Sequence, residues 1–210
     1  MSVTAIIPAY NEEKHIGQVL AAVKRVSEID DIVVVSDGST DRTVEVACGF
    51  HGVRVIQLPQ NMGKGYAMKV GLDNTPASIV LFLDADLVGL EPHHIRALLL
   101  PVYHGAADMA LGVFCSGRGM TDLAQRLTPF LTGQRAVKRW VLDMLGDDVW
   151  NTGYGVEMAL TRYVRKWNLK VVEVPLYGIT HAMKEEKMGV MRGMAARLKM
   201  YWEIAKQLRM

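Results

Sequence analysis

The 210-residue sequence lacks the features of several protein classes. Its two cysteines, Cys48 and Cys115, lie far apart and show no Cys-x-x-Cys spacing. That excludes a disulfide framework and a cysteine-rich zinc site. No apolar run approaches the roughly 18 residues of a membrane span, and the N-terminus shows neither the basic segment nor the long apolar stretch of a signal peptide. We therefore expect a cytoplasmic protein.

The sequence also lacks a large excess of positive or negative charge. The formal net charge is +2, and this is not the strongly basic character of a nucleic-acid-binding domain. We expect no nucleic-acid partner. The charge is uneven, because residues 184–210 contain seven Lys or Arg and three Glu, a net of +4, which leaves the rest of the chain at −2.

What the sequence does contain is an alternation of short apolar, β-branched runs with helical patterns. The runs predicted as strands are residues 3–8, 32–36, 53–58, 79–83, 109–113 and 171–174. Helical patterns cover residues 12–26, with Asn11 as a predicted N-cap, and then 42–50, 92–100, 121–131, 136–145 and 156–167, with further helices after residues 66 and 186. Continuously apolar strands separated by helices predict an α/β fold with a mostly parallel sheet covered on both faces.

Polar or glycine-rich segments follow the first four predicted strands. In a parallel sheet the carboxyl ends of these strands meet at one edge, where ligands bind. The segments are PAYNE at residues 8–12, SDGSTD at 36–41, NMGKG at 61–65 and DAD at 84–86. We expect all four on one rim.

The two aspartates at the end of the fourth run, Asp84 and Asp86, have the spacing of a pair that holds a divalent ion. Magnesium is commonly bound by one or two carboxylates together with phosphate oxygens. The motif alone is weak, because an aspartate that caps the following helix and a second one in solvent would give the same letters. Its position at a strand end favours the metal site.

Two nucleotide-binding fingerprints are absent. The first strand-to-helix turn contains Tyr10-Asn11-Glu12-Glu13 and no glycine, whereas a dinucleotide-binding fold has Gly-x-Gly-x-x-Gly there. Gly63-Lys64-Gly65 lacks the spacing and the Ser or Thr of a P-loop.

The sequence resembles the family 2 glycosyltransferases of GT-A fold. The branch that it resembles includes dolichyl- and polyprenyl-phosphate sugar transferases and glucosyl-3-phosphoglycerate synthases. The segments that carry the resemblance are IIPAYNEE (6–13), VVVSDGSTDRT (33–43), NMGKGYAMKVG (61–71) and LFLDADL (81–87), with weaker matches at 132–139, 153–160 and 171–176. It implies a glycosyltransferase domain over residues 1–183 with a Rossmann-like sheet. Residues 184–210 would then be a basic amphipathic helix, either part of that domain or peripheral to it.

The resemblance implies that a nucleotide diphosphate sugar, UDP- or GDP-linked, is the donor. The residues implied to contact it are Pro8, Ala9, Tyr10, Glu12, Asp37, Lys64, Asp84 and Ala85. Asp86 and His181 are implied to hold Mg²⁺ or Mn²⁺, and an imidazole ligand would favour manganese somewhat. The alternative that His181 is a surface or core histidine with no role in metal binding stays open.

Glu157 resembles a family glutamate that contacts the transferred sugar or the acceptor. A favourable charge near a helix N-terminus would account for it equally well. Thr132-Gly-Gln-Arg135 stands where many relatives carry the aspartate that deprotonates the acceptor, so the usual general base is not evident.

Residues 118–139 contain five Lys or Arg and one Asp. This charge is suited to a phosphate or other anionic acceptor, which needs no general base. A solvated basic face stays open as the alternative. We include Arg135, one of the five, with Asp86 and Glu157 as candidate catalytic residues. Inverting and retaining stereochemistry both stay open.

The C-terminal segment combines Met188, Met191, Met194 and Met200 with Tyr201, Trp202 and basic residues. It could lie on the inner face of an anionic membrane, where a lipid-linked acceptor resides, or pack on the core. A homodimer also stays open. Two further functions compete with sugar transfer. They are a sugar nucleotidyltransferase, which usually begins with a glycine- and arginine-rich phosphate loop, and a nucleotide-sugar binding module without turnover.

Overall fold

The structure, a computed structural model, describes residues 1–115, 132–150 and 155–182. Its strands are β1 (Val3–Ala9), β2 (Asp31–Ser36), β3 (Val53–Gln57), β4 (Ile79–Phe82), β5 (Leu87–Val88), β6 (Met109–Cys115), β7 (Arg135–Lys138), β8 (Val171–Tyr177) and β9 (Thr180–His181). Its helices are α1 (Ile16–Val23), α2 (Thr43–Cys48), α3 (Lys64–Asp73), α4 (Pro92–Tyr103), α5 (Arg139–Asp143), α6 (Asp147–Trp150) and α7 (Gly155–Lys166). Contacts divide the chain into Met1–Thr180 and His181–Met210, and of the second unit only His181 and Ala182 are described.

Seven strands form one sheet in the order β3-β2-β1-β4-β7-β6-β8. Neighbouring pairs among β3, β2, β1 and β4 are parallel, as are β6 and β8, whereas β7 runs antiparallel to both β4 and β6. Six strands therefore share one direction. The predicted α/β fold with a mostly parallel central sheet is confirmed.

The sheet is covered on both faces. On β1, Ala5 and Ile7 belong to a core cluster with residues of α1 and α4, whereas Ile6 belongs to a cluster on the other face with residues of α3. All three side chains are fully buried. Burial on both faces explains why the central strands are continuously apolar instead of alternating.

The helix predicted over residues 136–145 is only partly correct. Its first residues form β7, and helical structure begins at Arg139. The register pairs Val80 with Val137 and Ala110 with Ala136, so β7 fills the space between β4 and β6. These backbone hydrogen bonds to two distant strands override a local helical pattern, as tertiary context often does.

Asn11 is not the N-cap of the first helix, and that prediction is wrong. Helix α1 begins at Ile16 after His15, and Asn11 has a φ of 56°. The Asn11 side chain instead accepts a hydrogen bond from the Thr40 backbone N–H at 2.8 Å. The Glu12 backbone N–H donates to the Thr43 hydroxyl at 2.7 Å. The segment between β1 and α1 is thereby held by the loop after β2 and by the first residue of α2.

Two predicted helices, residues 121–131 and the segment from 186, lie outside the described residues, as does the proposed C-terminal region 184–210. None of the helices described here combines the length and apolar character needed to span a membrane.

Gly71 allows α3 to lie close against the sheet. A Cβ at this position would lie 2.4 Å from Cγ2 of Ile6 and 3.3 Å from Cγ2 of Val35, both on buried strands. The absence of a side chain at Gly71 therefore sets the distance between α3 and β1.

Gly71→Ala should lower the free energy of unfolding by about 1–3 kcal/mol, because the added methyl overpacks a rigid core. Gly17→Ala is the matched control, since its Cβ would meet Val46 at an ordinary 3.6 Å. An alanine there should be neutral or stabilise by up to about 1 kcal/mol. Urea unfolding of both variants measures the difference, and equal effects would contradict this account of the packing.

His94 connects α4 to the end of β8. Its side chain is buried, Nδ1 accepts the Glu91 backbone N–H at 3.1 Å, and the ring is hydrogen-bonded to the backbone of Tyr177. Burial lowers the pKa of His94 below its ordinary value, and the neighbouring His93 lowers that pKa further. The hydrogen bond to Tyr177 only partly offsets these effects.

A pH dependence of stability follows. Because the folded-state pKa of His94 lies below the unfolded value of about 6.5, the unfolded chain binds more protons in acid. The free energy of unfolding should therefore fall as the pH is lowered from about 7 to 5.5, whereas above about pH 7 this contribution should be constant. Urea unfolding across this range should show a shallower dependence for His94→Gln than for the wild type. Identical slopes would mean that His94 is not the group responsible.

Candidate active site

The four polar segments lie together as the sequence predicts. Strands β3, β2, β1 and β4 are parallel neighbours, so their carboxyl ends form one edge of the sheet. The segments at residues 8–12 and 36–41 begin at the ends of β1 and β2, and those at 61–65 and 84–86 follow β3 and β4 within four residues. This edge is the ligand-binding side of an open parallel sheet.

Asp37 joins the loop after β2 to the loop before α3. It is 3% exposed, and its two carboxylate oxygens accept the backbone N–H groups of Met62 at 2.7 Å and Gly63 at 2.9 Å. Each oxygen has a second lone pair for a ligand. The structure therefore gives Asp37 an anchoring role that the sequence did not predict. Contact of Asp37 with a base or ribose stays a prediction.

A cleft lies beside this anchor. It has a volume of about 340 Å³ and is lined by Gly38, Ser39, Thr40, Gln57, Leu58 and Pro59. Gly38 has a φ of 69°, and a Cβ there would lie 2.4 Å from the Gln60 backbone. Only glycine allows this approach of the two loops.

The predicted residues of the first loop differ in exposure. Ala9 is buried and pairs with Ser36, whereas the Tyr10 side chain is 47% exposed at the rim. Pro8 and Glu12 are half-buried. Tyr10 is therefore the most accessible of these side chains to a ligand.

Lys64 and Asp84 form an ion pair across the rim. The Lys64 Nζ lies 2.7 Å from Oδ1 of Asp84, and both side chains are partly shielded from solvent. Gly63 precedes α3 with a φ of 98°, and Lys64 is the first residue of the helix. The turn at Gly63 therefore brings Lys64 to the end of β4.

The other side of Asp84 is held by Gln134. The side-chain amide of Gln134 accepts the Asp84 backbone N–H at 3.2 Å and donates to Oδ2 of Asp84 at 2.9 Å. Gln134 is fully buried. A Cβ on Gly133 would lie 2.4 Å from Oδ2 of Asp84, so glycine is needed for this contact. The antiparallel direction of β7 explains the arrangement, because its first residues lie at the carboxyl end of β4.

Asp84, Asp86 and His181 form a group with metal-binding geometry. Each offers one ligand atom, these atoms all lie within 4.8 Å of one another, and each residue is half-buried. No other such group of three occurs among the described residues. Carboxylate oxygens suit Mg²⁺, and a combination of carboxylate with imidazole suits Mn²⁺. The residues therefore fit the predicted cations.

The remaining predicted residues have different surroundings. Ala85 is buried between the two aspartates. Arg135 is 1% exposed, and its guanidinium donates to the Thr132 carbonyl. It lies within the sheet, on the strand that follows Gln134. Glu157 is in the first turn of α7, and its side chain lies outside the described residues. Most of the basic segment 118–139 is outside them as well.

Sequence reasoning missed Gly133 and Gln134. The segment Thr132-Gly-Gln-Arg135 was considered as part of a weaker match to the family and for the absence of a general base, and neither observation predicted a contact with Asp84. A glycine followed by glutamine could have indicated a close polar contact at this point. The sequence does not show that the partner of Gln134 is Asp84, 50 residues away. Only the pairing of β7 with β4 reveals the contact.

Gln134→Leu should destabilise the protein by about 1–3 kcal/mol, because two hydrogen bonds to Asp84 are lost in a buried site. The matched control is Gln60→Leu, a similar change at an exposed position, which should have an effect within about 0.5 kcal/mol. The free energies of unfolding in urea provide the comparison. An effect of Gln134→Leu no larger than that of the control would refute the importance of this contact.

Known proteins that are similar to this chain include sugar transferases. Glucosyl-3-phosphoglycerate synthase of Mycolicibacterium smegmatis is 28% identical over 192 residues, which covers 76% of this chain and 62% of that protein. Dolichyl-phosphate beta-glucosyltransferase of Drosophila melanogaster is 39% identical over 101 residues, covering 41% of this chain and 31% of that protein. The chain thus spans less than two thirds of the length of these relatives.

Solved structures show the same fold. Glucosyl-3-phosphoglycerate synthase from Mycobacterium tuberculosis, in complex with Mn²⁺ and UDP-glucose, matches 86% of this chain and 71% of that chain with a TM-score of 0.73 and 28% identity. A complex of that enzyme with Mn²⁺, UDP-glucose and phosphoglyceric acid matches with a TM-score of 0.71 and 27% identity, over 86% of this chain and 71% of that one. The model of "Glycosyl transferase family 2" matches residues 4–168, well over half of the sequence. The chain belongs to glycosyl transferase family 2.

Proposed function

We propose that the protein is a metal-dependent glycosyltransferase that moves a sugar from a nucleotide diphosphate sugar to a phosphate-bearing acceptor. The observation that carries this proposal is the group formed by Asp84, Asp86 and His181, whose ligand atoms lie within 4.8 Å of one another. Lys64 lies beside this group, 2.7 Å from Asp84. A divalent ion and a lysine together are suited to a diphosphate.

The donor proposed first is a UDP-sugar. The structural neighbours named above hold UDP-glucose with Mn²⁺, and their fold matches most of this chain. The cleft at residues 38–40 and 57–59 lies beside the anchored loop of Met62 and Gly63. A nucleoside there would place its diphosphate toward Lys64 and the aspartates.

Sugar transfer breaks the bond between the anomeric carbon and the diphosphate oxygen, and the electron pair stays on the departing diphosphate. A new bond forms between the anomeric carbon and an oxygen of the acceptor. Asp84, Asp86 and His181 would hold the cation, which supplies Lewis-acid stabilisation of that charge when it is bound. Lys64 would donate hydrogen bonds to the same phosphates. These interactions strengthen as negative charge develops, so they stabilise the transition state more than the bound donor.

For the acceptor we propose a molecule that bears a phosphate. A phosphate oxygen is already anionic at neutral pH and needs no general base, which agrees with Thr132-Gly-Gln-Arg135 in place of the usual acidic motif. The phosphoglyceric acid in one structural neighbour also bears a phosphate, together with a hydroxyl group that would have to lose its proton if the sugar were attached there. A lipid-linked phosphate is another phosphate-bearing acceptor. Contact with a membrane and dimer formation stay predictions.

Binding of nucleotide sugars is the first test. A thermal-shift panel would compare UDP-, GDP- and TDP-sugars, each with and without Mn²⁺ or Mg²⁺. A ligand at 100 times its dissociation constant stabilises the folded protein by about 2.7 kcal/mol. We expect metal-dependent stabilisation by UDP-sugars. Stabilisation by none of the donors would refute the proposed function, and binding without transfer to any phosphate-bearing acceptor would instead favour a non-catalytic binding module.

Asp86→Asn should lower metal-dependent sugar transfer by about a hundredfold or more, because a charged ligand of the cation is lost. The matched control is Asp73→Asn, which changes an exposed aspartate paired with Lys69 on the far end of α3. Transfer of radiolabelled sugar and Mn²⁺ binding by calorimetry provide the measurements. Unchanged Mn²⁺ affinity in Asp86→Asn would remove Asp86 from the proposed metal site.

A further inference from the structure

The ion pair between Lys64 and Asp84 places a positive charge where a metal ion is expected to bind. Lys64 Nζ lies 2.7 Å from Oδ1 of Asp84, and Asp84 belongs to the group with Asp86 and His181. An ion bound to Asp84 through an oxygen at about 2.1 Å would lie roughly 4 to 5 Å from the ammonium. Two cations at this distance repel one another, so the ion pair and the metal compete for Asp84.

Asp84 is the fixed member of the pair. Gln134 binds both its backbone N–H and its Oδ2, and Gly133 packs directly against its carboxylate. Asp84 is also less exposed than Lys64, with side-chain values of 16% and 29%. A displacement of Asp84 would leave the buried amide of Gln134 without two hydrogen bonds, at a cost of about 1–3 kcal/mol.

Lys64 is the member that can move. It has a flexible four-carbon side chain, and it stands at the first position of α3, where the helix dipole disfavours a positive charge. The first turn of α3 contains no acidic residue to offset this. A diphosphate, which carries more negative charge than one carboxylate, would attract Lys64 away from Asp84.

We propose that Lys64 acts as a movable counter-charge that makes the binding of metal and diphosphate interdependent. Without diphosphate, the ammonium neutralises Asp84 and disfavours a divalent ion. With diphosphate, it moves to the phosphates and leaves Asp84 accessible to the ion. This inference rests on the proposed function, because it takes the metal and the nucleotide diphosphate as the ligands of this site.

The coupling must be reciprocal. If UDP raises the affinity for Mn²⁺ by some factor, then Mn²⁺ raises the affinity for UDP by the same factor. The order of events follows from the charges, since the ion alone meets a neutralised carboxylate whereas the diphosphate alone meets a mobile lysine. The site would therefore bind the cation mainly as part of a cation–diphosphate complex.

Calorimetric titration of Mn²⁺ into the wild type and Lys64→Met, each with and without saturating UDP, tests the proposal. In the absence of UDP, Lys64→Met should bind Mn²⁺ about tenfold more tightly or better, because a unit charge close to a divalent ion has been removed. The gain in Mn²⁺ affinity that UDP produces should shrink in the variant. Lys64→Gln, which retains a polar side chain, should behave in the same way.

Lys69→Met is the matched control, because Lys69 lies on the same helix and forms an ion pair with Asp73 at 2.6 Å. It should leave both Mn²⁺ affinities unchanged. Equal or weaker Mn²⁺ binding by the folded Lys64 variants without UDP would overturn the inference while leaving the proposed function in place. A wild type that binds neither Mn²⁺ nor UDP would overturn both.

Discussion

The two hydrogen bonds between Gln134 and Asp84 are the interaction on which the organisation of the site depends. It is made by a buried amide that contacts the backbone and the carboxylate of one residue. Since β7 runs antiparallel between β4 and β6, its first residues reach the edge where the parallel strands end. One reversed strand thus supplies the support for the acidic end of β4.

A second constraint organises the opposite part of the rim. Asp37 binds the backbone of Met62 and Gly63, and that loop leads directly into Lys64. The position of Lys64 is therefore defined from both sides, by Asp37 through the loop and by Asp84 through the ion pair. A change in either aspartate would be transmitted to the lysine.

The two members of the Lys64–Asp84 ion pair differ in how rigidly they are held. Sites built on strand ends and supported by buried hydrogen bonds are more rigid than sites built on loops alone. Here the carboxylate of Asp84 has that support, whereas the lysine opposite it is half-exposed on a flexible side chain. Because Asp84 is held rigidly and the Lys64 side chain is flexible, the proposed movement of Lys64 to a diphosphate would not deform the sheet.

The sequence alone predicted the α/β fold, six of the strands, and the rim that carries Asp37, Lys64, Asp84 and Asp86. These predictions succeeded because both-face burial leaves continuous apolar runs, and parallel strands bring their carboxyl ends to one edge. Only the tertiary structure revealed β7 and the roles of Gly133 and Gln134. It also showed that Asn11 contacts the loop after β2 and does not cap a helix. Each depends on hydrogen bonds between residues distant in sequence, and no local pattern of residues encodes which distant strand or loop will supply the partner.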